Sequence, residues 1–245
     1  TAAVAYVTAT GTLRFVTSSV DLVSDGGGEE EWDGSLSSIE NVGSNSWTRL
    51  IYANNQYNYF FTSLNNGEYH IELTTSTNGV DGTWSEYDYI VDPAIAPFEG
   101  MVTYDIQYNT TSSYFGLVAY VSSTEELVFA SSTDGVNWND PVAVYDAGDG
   151  EKRITNLFFV EGSDSLLVGY GFDSVAYSDD MGGTWASTSI GIDTENDTMV
   201  GAVADDTAIY AVYESDSSNT FIFASTTDGG ANWTTSTYFY DASGS

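Results

Sequence analysis

Ser178-Asp-Asp180-Met-Gly182-Gly-Thr184-Trp185 decides how this chain is read. A hydroxyl, an acid, two glycines and a tryptophan fall within eight residues. A short carboxylate accepts hydrogen bonds from main-chain N–H groups a few residues on. Glycine supplies the positive φ that a tight hairpin needs. The tryptophan then buries a large apolar face at the root of the hairpin. The stretch predicts a self-locking turn that ends where the next strand begins.

The same arrangement recurs four times. Thr226-Thr-Asp228-Gly-Gly230-Ala-Asn232-Trp233 has the same length, and Ser132-Thr-Asp134-Gly-Val-Asn-Trp138 is one residue shorter. Ser76-Thr-Asn78-Gly-Val-Asp-Gly-Thr-Trp84 is one longer and carries Asn in the acid position. Ser24-Asp-Gly-Gly-Gly-Glu-Glu-Glu-Trp32 is the most divergent. The closing tryptophans are 52, 54, 47 and 48 residues apart. A period of about 50 residues marks a repeat architecture.

The pattern Ser178, Asp180, Gly182, Thr184, Trp185 resembles the Asp box, or bacterial neuraminidase repeat. That repeat is found in sialidases, sortilin-like receptors, some glucan hydrolases and photosystem assembly factors. The resemblance extends over all five copies and so over nearly the whole chain. It implies a turn between the third and fourth strands of a β-propeller blade, on the face away from any active site. The hydroxyl, acid or amide, glycine and tryptophan of each copy are therefore expected to be structural.

Short runs of alternating or continuous apolar residues fill the rest of each repeat, and no segment has a helical period. The expected fold is all-β: a single five-bladed β-propeller of four-stranded antiparallel blades. The blades are placed near 1–40, 41–97, 98–149, 150–194 and 195–245. The first is expected to hold strands at 1–7, 12–18, 20–24 and 32–38. The first strand of each blade is expected innermost, with the ring closed by packing the fifth blade on the first. The sialidases that the pattern resembles have six blades.

Charge bounds the partners. The 245 residues contain 36 acids against 4 bases, a net charge of −32. A basic nucleic-acid footprint is excluded, and an anionic membrane would repel the chain. The apolar runs are far too short to span a bilayer as helices. There is no cysteine, so neither disulfides nor thiolate metal ligands enter. The single histidine, His70, falls in an alternating strand and is expected at its surface. So acidic a chain is destabilised by self-repulsion unless salt or bound cations screen it. That points to a saline setting, with the protein extracellular or surface-displayed, the virion surface included.

In a propeller the ligand face lies opposite the turns described above. Tyr87, Phe98 and Tyr145 are its candidate sugar-stacking rings, and Glu99, Glu126, Asp173 and Glu214 its candidate carboxylates. Two facing carboxylates are what glycoside hydrolysis requires. Asp146-Ala-Gly-Asp149-Gly-Glu151 is an oxygen-rich loop of the type that suits Ca²⁺. Its alternative reading is a solvated acidic loop paired with Lys152 and Arg153. Sialidase chemistry implies three arginines clamping a carboxylate, and a Tyr–Glu nucleophile pair. The chain has only Arg14, Arg49 and Arg153, and none lies in that family's arginine-containing start motif. Three glycosylation sequons begin at Asn109, Asn196 and Asn232. The first two are expected to be accessible loop positions, the third shut inside a turn.

The expectation for function is a non-catalytic recognition or structural module. It would bind a glycan or a partner protein, other copies or subunits included, within a cell-surface layer, an appendage or a virion spike. The alternative is a glycoside hydrolase or a stand-alone lectin. The charge alone generates one test. Thermal melts should shift upward as NaCl rises from low to molar concentration, and again with added Ca²⁺. A melting point that moves with neither would mean that the carboxylates are already compensated.

Overall fold

A computed structural model describes residues 2–7, 13–18, 33–39, 48–65, 68–78, 84–85, 88–91, 101–121, 124–146, 154–159, 164–170, 174–190, 198–204, 208–215, 220–228 and 230–239. Among them the chain is all-β, and every sheet is an antiparallel meander in chain order. The chain divides into two compact units, Thr1–Asp92 and Pro93–Ser245.

The first unit holds two sheets. One is three-stranded: β1 (Ala2–Val7), β2 (Leu13–Ser18) and β3 (Asp33–Ile39). Here the expectation needs correction. β2 pairs with β1 through Val4↔Val16 and directly with β3 through Phe15↔Ser37, so both its edges are used. The strand expected at 20–24 lies outside the described residues and does not separate β2 from β3.

The other sheet has four strands: β4 (Thr48–Ala53), β5 (Gln56–Asn65), β6 (Glu68–Ser76) and β7 (Asp88–Val91). Ala53 faces Gln56 across a two-residue turn in which Asn54 and Asn55 have φ of 53° and 61°. Asparagine is among the few non-glycine residues that tolerate this region. His70 is buried rather than at a strand surface. It alternates with Glu72 and Thr74 on one face of β6, where Phe61 lies opposite Glu72 and Tyr59 opposite Thr74. All of these residues are buried, so polar alternation here marks a covered face, not a solvated one.

The second unit holds three four-stranded sheets. The third sheet of the chain is β8 (Met101–Asn109), β9 (Tyr114–Val121), β10 (Glu126–Ser132) and β11 (Val142–Asp146). The fourth is β12 (Ile154–Phe159), β13 (Leu166–Tyr170), β14 (Ser174–Ser178) and β15 (Ala186–Ser189). The fifth is β16 (Thr198–Ala204), β17 (Ile209–Ser215), β18 (Thr220–Thr226) and β19 (Thr234–Phe239). β12 runs beside both β8 and β16, so the first strands of successive sheets are neighbours. β9 and β13 are buried along their whole length, as continuous apolar runs predict, whereas β15 is mostly exposed.

Two apolar layers hold these sheets together. Leu127, Phe129, Leu157 and Val168 belong to the layer joining the third and fourth sheets. Leu167, Val175, Ile209 and Tyr213 belong to the layer joining the fourth and fifth. Trp185 packs on the first layer and Trp233 on the second. Each tryptophan thus closes its own turn and covers the joint with the preceding sheet.

Gly182 shows how tight that joint is. Its φ is +84°, and a Cβ there would lie 2.3 Å from the Phe129 ring. Gly182→Ala combines overpacking of about 1–3 kcal/mol with a left-handed backbone cost of roughly 1–2 kcal/mol. Chemical denaturation should show a loss within the sum of those ranges. Gly183→Ala, whose Cβ would meet the Asp180 carboxylate at 3.3 Å and its carbonyl oxygen at 3.4 Å, near ordinary contact, should cost far less. Equal losses at the two positions would contradict this packing.

Candidate functional site

The repeated turns are built from the hydroxyl outward. Ser178 Oγ accepts the Gly182 N–H at 2.9 Å and donates to Asp180 Oδ1 at 2.8 Å. Asp180 Oδ1 also accepts the Thr184 N–H at 2.8 Å, while Oδ2 accepts the Thr184 hydroxyl at 2.7 Å. The Trp185 indole N–H donates to the Gly182 carbonyl at 3.0 Å. The last turn repeats this bond for bond. Thr226 Oγ1 accepts Gly230 N–H at 3.2 Å, Asp228 accepts the N–H and side-chain amide of Asn232 at 2.9 and 2.6 Å, and Trp233 donates to Gly230 O at 2.9 Å.

The turn after β10 uses the same hydroxyl and acid bonds in one residue less, but the Trp138 indole N–H has no hydrogen-bond partner there. Ser132 Oγ accepts Gly135 N–H at 2.9 Å, and Asp134 accepts the Val136 and Asn137 N–H groups, both at 2.8 Å. In the turn after β6, Ser76 Oγ donates to Asn78 Oδ1 at 3.3 Å. Ser24 and Trp32 of the most divergent copy lie outside the described residues. Trp84 and Trp138 are half-buried, as Trp185 and Trp233 are.

The acids accept main-chain N–H groups as expected, but acid and hydroxyl divide the donors of each turn by depth. Ser76, Ser132, Ser178 and Thr226 are each only 3% exposed, whereas the acids and the donors they hold stand at the surface. The desolvated donor is the glycine N–H, and the hydroxyl serves it. Exposed as they are, the acids are held ionised. Asn137, chiefly through its side-chain amide, holds Asp134 well below the usual carboxylate range. The Thr184 N–H and then its hydroxyl lower Asp180. The Thr226 hydroxyl and then Asn232 lower Asp228 to about 2.

At the same end of the sheets, Ser112 donates to Asp164 Oδ1, and the Asp164 carbonyl accepts the Met181 N–H at 3.3 Å. Asn109 is corrected too. It is 2% exposed, and its Oδ1 accepts the N–H groups of Thr111 and Ser112 at 2.8 and 3.1 Å. It is a turn cap, not an accessible sequon. Asn232, expected to be shut away, is exposed, with its amide committed to Asp228. Asn196 lies outside the described residues.

The other end of the sheets carries the candidate ligand residues that are described. Glu126 opens β10, half-buried, with Val121 and Asp146 as its cross-strand partners. Tyr145 and Asp146 end β11, and Glu214 lies near the end of β17 opposite Thr198 and Phe221. Near this end β8, β12 and β16 each change register, between Met101 and Thr103, Ile154 and Asn156, and Met199 and Gly201. Such bulges bend a strand and re-aim its side chains. Tyr87, Phe98, Glu99, Asp149, Glu151 and Asp173 lie outside the described residues. The proposed Ca²⁺ loop is thus described only at Asp146. Among the described residues no three His, Cys, Asp or Glu side chains gather as a metal site.

Two features escaped the sequence reading. Asp105 on β8 is 1% exposed; its Oδ1 accepts the Ile106 N–H at 2.9 Å and its Oδ2 the Leu157 N–H of β12 at 2.8 Å. A buried carboxylate thereby ties the first strands of two sheets. Its only signal was an acid amid the apolar run Tyr104-Asp105-Ile106, lost among 36 acids. The second feature is a cleft of about 480 Å³ on the fifth sheet, lined by Tyr210, Phe223, Ala224, Ser225, Thr234 and Ser236. Tyr210 and Phe223 are each 44% exposed, and among the described residues no carboxylate lines the cleft.

No family model matches the chain, and no curated protein matches it in sequence. Solved structures do resemble it. NanB with Optactamide superposes with a TM-score of 0.58 at 11% identity, over 78% of this chain and 51% of that one. Hadza microbial sialidase Hz136 gives 0.53 at 13%, over 93% and 54%. Chaetomium thermophilum Raptor gives 0.55 at 10%, over 90% of this chain and 18% of that one. The chain spans about half the length of NanB and of Hz136. At such identities the likeness is one of fold alone, and that fold is of the β-propeller type.

The turns make two predictions. Ser178→Ala strands the buried Gly182 N–H and should cost about 1–3 kcal/mol; Ser178→Thr, which keeps the hydroxyl as Thr226 does, should cost less. Denaturant titration of both variants decides. The second concerns acid. Asp228 titrates at about 2 when folded, against about 3.9 when unfolded. A lowered folded pKa contributes stability that is complete above the unfolded value and lost as pH falls through the folded one. The melting-point gap between wild type and Asp228→Ala should hold at neutral pH and close between about pH 4 and pH 2. A gap independent of pH would mean that the ionised form carries none of it.

Proposed function

We propose that the chain is a five-bladed propeller with an Asp-box turn in each blade, acting as a non-catalytic recognition or structural module. In this reading it is extracellular or surface-displayed in a saline setting. It binds a glycan or a protein partner within a surface assembly, with Ca²⁺ as a screening or loop-bound cation. One observation carries the reading. Both carboxylate oxygens of Asp134, Asp180 and Asp228 accept donors from their own turns. The acids that the sequence makes most legible are spent on structure and are not free for chemistry. The exposed aromatic and hydroxyl surface of Tyr210, Phe223, Ser225, Thr234 and Ser236 is of the type used by adaptable contact surfaces.

A second reading, a glycoside hydrolase, draws on a different observation. Glu126 and Asp146 are direct cross-strand partners at the end away from the turns. Glycoside hydrolysis requires two facing carboxylates.

A glycan array run beside a panel of glycoside turnover assays separates the two. Binding without turnover, unchanged in Glu126→Gln and Glu214→Gln, supports the recognition module. Turnover at ordinary enzyme rates, abolished by Glu126→Gln, would establish the hydrolase instead. Phe223→Asp adds the location. Lost binding with an unchanged melting point makes the cleft the contact surface, whereas lost stability makes its face a packing surface.

A further inference from the structure

The last strand of each sheet, β3, β7, β11, β15 or β19, has a paired strand on one side only among the described residues. Such an edge offers a row of unpaired main-chain donors and acceptors to any other chain. Proteins blunt it by shortness, a charge, a proline, a bulge or a covering segment. Four of these five edges are blunted. β3, β7 and β11 contain Asp33, Asp88 and Asp146, and each joins its neighbour through a register shift. β15 is regular and uncharged but only four residues long.

β19 has none of these devices. It runs six residues, Thr234-Thr-Ser236-Thr-Tyr238-Phe, with neither charge nor proline, in a chain holding 36 acids. It pairs with β18 from Ser225↔Thr234 to Thr220↔Phe239 without a register shift. All but Ser236 are β-branched or aromatic, the residue types that suit a ladder. Thr234, Thr235 and Ser236 are exposed, so no segment covers that stretch of the strand.

We propose that β19 is a docking edge, on which the β19 of a second copy of the chain pairs antiparallel and continues the sheet. The protein partner of the recognition reading is then another copy, and the inference rests on that reading to this extent. Charge favours this occupant. A basic partner gains nothing from an edge stripped of acids, whereas a second copy, itself carrying −32, needs one. Symmetry limits the register. A two-fold axis through the sheet must set opposite residues on the same face. Centred on Ser236, it pairs Ser236 with Ser236, Thr235 with Thr237 and Thr234 with Tyr238. Thr–Thr and aromatic–β-branched pairs are among the stabilising ones. The row Tyr210–Ser225–Thr234, which lines the cleft of the fifth sheet, is then extended by Tyr238 of the second copy.

Sedimentation equilibrium of the whole chain across a salt series tests this. A pairing of this length buries less than a stable interface does, so association is weak and is read at high protein concentration. Wild type should pass from monomer to dimer as NaCl rises to molar levels, because screening relieves the repulsion between two acidic copies. The variants are compared at the lowest salt at which wild type associates. Ser236→Lys and Ser236→Glu each set like charges directly opposite across the axis. Each should weaken the dimer by roughly tenfold, with an unchanged melting point, and their equimolar mixture should restore it. Ser187→Lys, the same change on β15, should leave association as it is. A wild type that stays monomeric at molar salt, or a Ser236→Lys chain that dimerises as wild type does, would overturn the proposal. A mixture no better than its components would overturn the register, and with it the second copy as occupant. No glycan enters the experiment, so its failure leaves glycan binding standing, and a silent glycan array leaves the dimer standing.

Discussion

A single hydrogen bond recurs where the structure can least do without it: a buried serine or threonine hydroxyl accepting a glycine N–H at the tip of a turn. The glycine is forced by geometry. At Gly182 and Gly230 a positive φ coincides with an aromatic ring of the preceding sheet, Phe129 or Tyr177, against the place where a Cβ would stand. A residue pressed against a ring cannot turn its N–H to water, so the donor must be met from within. The acid works one shell further out, at the surface, where it arrests the loop and bonds back to the hydroxyl. Hydroxyl, acid, glycine and tryptophan form one device because each satisfies a group that the others leave exposed or unpaired.

The device also joins sheets. Trp185 and Trp233 each donate to the carbonyl of the glycine in their own turn and lay their rings on the layer shared with the previous sheet. On the first strands of the third and fourth sheets, Asp105 makes a second tie, from side chain to the main chain of Leu157. Removing one partner of such a buried carboxylate leaves either a charge or an N–H unpaired, which costs far more than the bond contributes. The third and fourth sheets are thus tied on their first strands by Asp105 and at the turn by Trp185, with apolar side chains between.

What the sequence made legible follows from which interactions are local. The turns are local: hydroxyl, acid, glycine and tryptophan lie within nine residues, so their spacing foretold the acid's bonds to main-chain N–H groups, though not the hydroxyl's bond to the glycine. Continuous apolar runs such as Tyr114–Val121 foretold strands covered on both faces. The first sheet was misread because strand partners are not local, and β2 took β3 where a nearer segment was expected. His70 and Asn109 were misplaced for a related reason. Polar alternation and an Asn-Thr-Thr sequence look solvent-facing until the neighbouring strand or turn that covers them is known. Asp105 was invisible because its partner is 52 residues away. The candidate ligand residues share this limit. Loop position brought Glu126, Asp146 and Glu214 to one end of their sheets, but their chemistry depends on partners that spacing does not encode.

Propeller scaffolds separate stability from chemistry, and a shared scaffold does not carry an activity with it. At one end of the sheets the acids Asp134, Asp180 and Asp228 are committed to their own turns. The account rests on the claim that the hydroxyl–glycine bond is the buried anchor of each turn. Native-state amide exchange measures it directly. The N–H groups of Gly135, Gly182 and Gly230 should be protected to nearly the level of the β9 and β13 strands, while those of Val136, Thr184 and Asn232, held by exposed acids, exchange much faster. Rapid exchange at the three glycines with protected strands around them would contradict the account.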